Sequence, residues 1–405
     1  TLNSGITLKN RIIKAAMSEN MSPTHLPEEA FACAYSEWAS GGMALNITGN
    51  VMVDRDHLGE PNNVILDSKT SNLKPFKEWA KAGKKNNTAL YMQINHPGKQ
   101  TAKFLTPIPV APSAISFPSP MNKLFNTPRA LTTTEVRDII EKFGTAARLA
   151  KETGFDGVQI HGAHGYLISQ FLSPKHNQRT DEWGGSIENR MRFLVEIYHE
   201  IRKQVGESFG VAVKLNSADF QKGGFTEEES MLVVSTLDKL GLDFIEISGG
   251  TYEVSAMMGK QTKKKTAQKE STKKREAYFM DYAKKISGTI KTPLMLTGGF
   301  RDKGTLSSAI ESGMVDLVGM GRPFAVFPNL ANDLLDNEEW EIEISPKKLG
   351  IKSLDGVVPL EITWYTQQIH RLGKGLATSP NKNVWVSLIQ TIGEMGLDSV
   401  KKVRS

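Results

Sequence analysis

Of the 405 residues, only Cys33 is a cysteine. One thiol forms no intramolecular disulfide, no iron–sulfur cluster and no cysteine-based zinc site. That scarcity fits a reducing compartment, the cytoplasm. Long apolar runs are also missing. No stretch reaches the 18 or so residues that a membrane-spanning helix needs, and no basic-plus-apolar leader stands at the start. The net charge of +6 is spread unevenly. Residues 260–275, KQTKKKTAQKESTKKR, hold seven lysines and one arginine against one glutamate. No aromatic residue interleaves with those lysines, which argues against nucleic acid. The stretch reads either as a solvated loop or as a patch for an anionic partner such as a phosphorylated cofactor.

What is present is a globular composition, 39% hydrophobic and 23% charged. Eight short β-branched runs recur at 11–17, 43–49, 89–94, 157–161, 210–215, 243–248, 293–297 and 315–320. Amphipathic helical patterns separate them. The clearest runs from about Thr134 to Thr153, with Thr132 or Thr133 as cap, Glu135 in the first turn and Gly154 as stop. Residues 226–240 repeat the pattern, with Thr226 as cap, Glu229 three residues on and Gly241 as stop. Such alternation predicts an α/β fold, a (β/α)8 TIM barrel over residues 1–330 with a C-terminal extension over 331–405. Residues 100–131, rich in Pro and Ser, are expected to form an ordered loop or short hairpin over the barrel mouth. The extension is expected to pack on the barrel or on a partner subunit, which leaves a homo-oligomer open.

In such barrels the site lies at the C-terminal ends of the strands. Chemistry-bearing or small residues stand there repeatedly: Ser18, Gly49, Gln93, His161, Lys214, Gly249, Gly298 and Gly321. The densest cluster is in GVQIHGAHGYLISQFLSP (157–174), where an apolar run ends in His161, His164 and Tyr166. Two imidazoles can stabilise charge growing on a carbonyl oxygen, and a phenol can deliver a proton as general acid. Paired histidines also suggest metal, but the spacing is not the helical H-E-x-x-H, and no thiol or carboxylate ligand is evident beside them. We therefore expect no metal. TGGFRD (297–302) and GMGRPF (319–324) each follow an apolar strand, and their glycines let backbone N–H groups approach a phosphate, with Arg322 as a charged clamp. The small Ala15 and Ala16, then Met17 and Ser18, leave room for a flat ring. Gln93 both donates and accepts, which suits a uracil-like edge. Lys214 lies inside the apolar run GVAVKL and needs an anionic partner, either a ligand or a carboxylate such as Glu246.

Together these motifs resemble the Old Yellow Enzyme family of FMN-dependent NADH:flavin oxidoreductases, in its single-domain form. The resemblance runs from about residue 5 to 330. It rests on LKNRI (8–12), QINHPGKQ (93–100), GFDGVQIHGAHGYLISQFLSP (154–174), NQRTDEWGGSIENRMRF (177–193) and GMGRP (319–323). It implies that Ala16, Met17 and Ser18 line the flavin, Gly49 faces its ring, Gln93 binds its pyrimidine edge and Lys214 lies beside N1 and O2. Gly298, Gly299, Gly321 and Arg322 would hold the FMN phosphate. His161 and His164 would bind the substrate's carbonyl oxygen, and Tyr166 would protonate it at carbon. Residues Arg179 to Ser186 would brace the loop after the fourth strand. Ser18 stands where the family has Cys or Thr, Ala16 where many members have Pro, and Lys214 where Arg is usual. Asn20 occupies the place of an active-site tyrosine in one subclass and is expected to help place substrate. The implied reaction is NAD(P)H-dependent reduction of the C=C bond of an α,β-unsaturated carbonyl compound by ping-pong hydride transfer, and the lysine-rich stretch favours NADPH over NADH. The rival readings are a broad NAD(P)H oxidase or quinone reductase, a flavin-free phosphate-binding lyase or isomerase, and a non-catalytic flavin-binding sensor.

Overall fold

A computed structural model describes residues 1–248, 278–298, 300, 302–337, 341, 342, 344, 349 and 360–395. Eight strands lie where the apolar runs predict them: β1 Ile12–Lys14, β2 Leu45–Ile47, β3 Ala89–Asn95, β4 Gly157–Gly162, β5 Gly210–Asn216, β6 Ile245–Ser248, β7 Leu294–Thr297 and β8 Leu317–Met320. Each pairs in parallel with the next, and β8 returns to β1 through Ile12↔Val318, which closes the barrel. Both strand faces are buried, so the strands read as apolar runs rather than alternating ones.

Helices cover the outside: α1 Glu29–Ser40, α2 Lys74–Gly83, α3 Thr133–Glu152, the short α4 Leu167–Leu172, α5 Ile187–Val205, α6 Glu227–Asp238, α7 over residues 278–287 and α8 Lys303–Glu311. Thr132 and Thr226 cap α3 and α6 as predicted, each in a reciprocal capping box with Glu135 or Glu229. Beyond β8 come α9 Arg322–Val326, α10 Leu330–Asp336, α11 Leu360–Gly373 and α12 Val384–Met395. Trp364 of α11 is fully buried in the same apolar cluster as Trp38 of α1. This part of the extension therefore packs on the barrel of its own chain.

Period-2 alternation sorts the barrel interior into layers. The floor is apolar, with Ile13, Leu45, Tyr91, Phe244, Met295 and Leu317 in one cluster. Tyr91 lies across it, stacked on Phe244 at 5.8 Å between ring centroids and donating its hydroxyl to Asp243. A Cβ at Gly210 would come within 2.0 Å of that hydroxyl, so only glycine admits the ring there. Two residues further along β3, β4, β5 and β6 the inward positions turn polar, with Gln93, Gln159, Lys214 and Glu246.

Of the two forms expected over 100–131, ordered loop or short hairpin, the two short strands do not make the hairpin. Val110–Ala111 and Arg129–Ala130 pair in parallel, and only the isolated Ala102↔Phe125 bridge is antiparallel. The Arg179 guanidinium braces this pairing, donating to the carbonyls of both Pro112 and Leu131 and pairing with Asp181. It thus ties the ends of the two strands side by side, pointing the same way.

Candidate active site

The polar layer forms one ladder. The Gln93 side-chain amide donates to Gln159 Oε1 at 2.7 Å, Gln159 donates to Glu246 Oε2 at 2.7 Å, and Lys214 Nζ lies 2.9 Å from Glu246 Oε1. Lys214 is thus the interior lysine the sequence predicts, and Glu246 is its carboxylate partner. Gln159 and Glu246 complete the ladder. Their signature was a polar residue at the inward position of an apolar strand, VQI and IEI.

One layer higher lies the three-ring cluster. His161 is at the end of β4, 5.1 Å from the His164 ring and 4.9 Å from the Tyr166 ring between centroids. The Ala163 N–H donates to His161 Nδ1 at 3.3 Å, so the neutral ring carries its proton on Nε2. His164 has φ +63°, an uncommon backbone for a residue with a side chain. Asn216 Oδ1 on β5 holds it by accepting its N–H at 3.2 Å, and Ser248 on β6 meets its Nε2 at 2.7 Å. Burial, together with the nearby Lys214 charge, keeps both imidazoles well below their usual pKa, and His164 adds to the effect on His161. At neutral pH each is an uncharged ring with one N–H to give. Tyr166 caps α4 at its N-terminus, and Asn50 donates to its hydroxyl at 3.4 Å. Fully buried Gln170 fixes the turn: its amide donates to the carbonyls of Gly165 and Pro97, while its oxygen accepts from Lys99 N.

The loop after β1 brings a second group of charges. Gly49 N–H and the Tyr35 hydroxyl both donate to Glu19 Oε1, and a Cβ at Gly49 would lie 2.0 Å from Glu19 Oε2. Lys14 Nζ, fully buried, donates to Ile47 O at 2.8 Å and sits 4.5 Å over the Trp38 ring. Burial lowers its pKa to about 8 and raises that of Glu19, while the two charges counter this by attracting each other. Ser18 donates to Glu60, whose pKa burial raises. Asn20 Oδ1 accepts the Asn62 N–H at 3.2 Å and so staples two loops together. These charged partners were not legible in RIIKAAMSEN beyond the oddity of a lysine among isoleucines.

At the opposite rim, Gly298 has φ +98° and donates to Gly319 O at 3.1 Å. A Cβ there would meet nothing within 4 Å, so the backbone borders open space. Met17 lies against Gly321, which joins the ends of β1 and β8. Thr297 Oγ1 is buried without a hydrogen-bond partner among the described residues. The open backbone at Gly298 suits a phosphate group. Arg322 begins α9 as expected, but its guanidinium donates to Glu361 at 2.6 Å and lies over the Tyr365 ring. The C-terminal extension thus holds the arginine expected as an anion clamp. Gly249, Gly299 and the lysine-rich stretch 260–275 lie outside the described residues.

Asp54, His57 and His96 bring potential ligand atoms within 4.8 Å of one another. Their chemistry favours a brace over a metal site. Lys142 Nζ already stands 2.5 Å from Asp54 Oδ2. Gly98 N–H donates to His96 Nδ1, which leaves the His96 proton on Nε2, the nitrogen facing Asp54. A ligating imidazole would need that nitrogen bare. The His96 carbonyl in turn accepts the Leu167 N–H, so the cluster supports the turn that carries Tyr166.

Comparison with known proteins agrees with this geometry. A model of the NADH:flavin oxidoreductase / NADH oxidase family matches residues 1–339. The NADH-dependent flavin oxidoreductase iliE of Hypocrea jecorina is 39% identical over 361 residues, covering 84% of this chain and 88% of that protein. The NADH-dependent flavin oxidoreductase iccE of Talaromyces variabilis is 33% identical, covering 92% and 97%. The structure of the Old Yellow Enzyme homologue from Zymomonas mobilis superposes with a TM-score of 0.71 at 25% identity, covering 86% and 94%. The chain belongs to this NADH:flavin oxidoreductase family, that of the Old Yellow Enzymes, and is an NAD(P)H-dependent oxidoreductase with FMN as its cofactor.

Proposed function

We propose that this enzyme reduces the C=C bond of α,β-unsaturated carbonyl compounds, with His161 and His164 binding the carbonyl oxygen and Tyr166 protonating the α-carbon. The observation that carries the reading is the meeting of the two imidazole rings and the phenol within 5.1 Å of His161, at the C-terminal mouth of a flavin-enzyme barrel. FMN, when bound, would supply the hydride chemistry between the nicotinamide and the β-carbon. Ala16, Met17, Ser18 and Gly49 would line its ring. Gln93 would take its pyrimidine edge and Lys214 would offer positive charge there. The backbone at Gly298 and Gly321 would take its phosphate, with Arg322 at the rim; Gly299, also expected there, lies outside the described residues.

The chain's own groups do the rest. Hydride addition builds enolate charge on the carbonyl oxygen, and donors placed at that oxygen stabilise the transition state more than the ground state. His161 presents its Nε2–H for this purpose, since Ala163 occupies Nδ1. Neutral imidazoles suit the task, because each keeps one N–H to donate without changing its charge near neutral pH. The Tyr166 hydroxyl, held beside Asn50, supplies the proton. The relatives named NADH-dependent support NADH as the reductant. The family description also names NADH oxidase, and oxidation of NAD(P)H with oxygen or a quinone as acceptor is the second reading.

One variant separates the two. Tyr166→Phe is expected to slow reoxidation of the enzyme by 2-cyclohexenone about a hundredfold or more, the usual worth of a general acid, while its reduction by NADH stays near the wild-type rate. Equal slowing of both half-reactions would remove Tyr166 as proton donor.

A further inference from the structure

His164, two residues past the end of β4, is gripped from two neighbouring strands. Its backbone N–H is held by Asn216 Oδ1 at 3.2 Å from β5, and Asn216 is itself steadied by donating to Asp219 at 3.3 Å. Its ring nitrogen Nε2 meets Ser248 Oγ at 2.7 Å, from the end of β6. Ser248 is buried, 9% exposed, and its own carbonyl is occupied by Ser217 N–H, so the residue is fixed at both ends. Gly165, next along the turn, donates to Ser169 Oγ at 3.2 Å. A left-handed backbone at a non-glycine residue persists only where its surroundings over-determine it, and these contacts supply that.

The chemistry gives the ring grip a further consequence. A neutral imidazole has one N–H and one bare nitrogen, and a donor that meets one nitrogen leaves the proton on the other. At His161 the Ala163 N–H makes that choice. At His164 the only nitrogen contact described is the Ser248 hydroxyl. We propose that Ser248 is a positioning residue for the reduction of the carbonyl-activated alkene: its hydroxyl holds the His164 ring against β6 and, by donating to Nε2, leaves the ring's single proton on Nδ1 for the carbonyl oxygen. This rests on the role of His164 proposed above. A serine one residue past IEI at a strand end looks like ordinary loop chemistry in the sequence, and only the 2.7 Å contact distinguishes it.

The test uses the FMN-loaded enzyme with 15N-labelled histidine, as wild type, Ser248→Ala and Ser248→Thr. In wild type the two His164 ring nitrogens should resolve as one protonated and one bare. In Ser248→Ala both signals should move toward the average of the two tautomers, and reoxidation by 2-cyclohexenone should slow about fivefold, the worth of one hydrogen bond. Reduction by NADH should be unchanged, and Ser248→Thr, which keeps a hydroxyl, should restore both readouts. Unchanged His164 signals in Ser248→Ala would overturn the proposal. Moved signals with an unchanged enone rate would uphold Ser248 as the residue that sets the tautomer and instead refute His164 as a carbonyl-binding group. A merely structural serine would lower the thermal midpoint without touching either nitrogen signal.

Discussion

At the scale of single residues, this barrel interior is governed by how it neutralises buried charge. Lys214 and Glu246 face each other at 2.9 Å with almost no exposure, and Gln159 takes the second carboxylate oxygen. Removing one member of a buried pair leaves the other uncompensated, which costs about 3–5 kcal/mol. Glu246→Gln should therefore lower the free energy of unfolding in urea by that order; a loss under about 1 kcal/mol would show that water reaches Lys214. Much of this layer was legible in advance, because a lysine inside GVAVKL demands an anion. The sequence left open which anion, since a ligand and Glu246 satisfy the same physics. The Lys14–Glu19–Tyr35 group was less legible. Its members come from β1, the following loop and α1, and nothing in their spacing announces that Gly49 will bring its N–H to the same carboxylate.

At the scale of elements, the strands and their helices were readable because each carries its own local instructions. The capping box at Thr132 and Glu135 starts α3 within a residue of the expected place. Its exposure and regular geometry make it a clean test. Thr132→Ala should cost about 1 kcal/mol by loss of the side-chain acceptor for Glu135 N–H, seen as a lower urea midpoint with unchanged slope. A neutral effect would mean that Arg129, which pairs with Glu135, suffices to hold the helix start. The segment over 100–131 shows where local reading stops. Turn-forming residues leave an ordered loop and a hairpin equally open, and the parallel pairing is braced by Arg179, some fifty residues further along the chain. The same holds for Arg322. Its position after β8 was legible, whereas its partner Glu361 belongs to a helix beyond the barrel.

At the scale of the whole molecule, three buried histidines and the half-buried His164 make folding sensitive to acid. Burial lowers His96 to about 4 and His176 to about 3, with His161 and His164 also well below their usual value. The unfolded chain binds a proton at each near pH 6.5, whereas the folded chain resists until lower pH. Falling pH therefore favours unfolding, by about 2 kcal/mol for each of His96 and His176 at pH 5, with His161 and His164 acting in the same direction. Asp54 adds to the acid side of this trend. Burial opposes its ionisation, yet His57, His96 and Lys142 hold its carboxyl well below the usual range, so its stabilising pairing is lost only at still lower pH. The midpoint of thermal unfolding should thus drop between pH 7.5 and pH 5; an equal or higher midpoint at pH 5 would contradict the neutral, buried assignment. The central claim is that one site runs both halves of an alkene reduction. Its most direct test is the visible spectrum of the FMN-loaded protein, titrated without oxygen first with NADH and then with 2-cyclohexenone. The account predicts that the flavin bands bleach with NADH and return with the enone. Bands that bleach and stay bleached until oxygen or a quinone is admitted would contradict it.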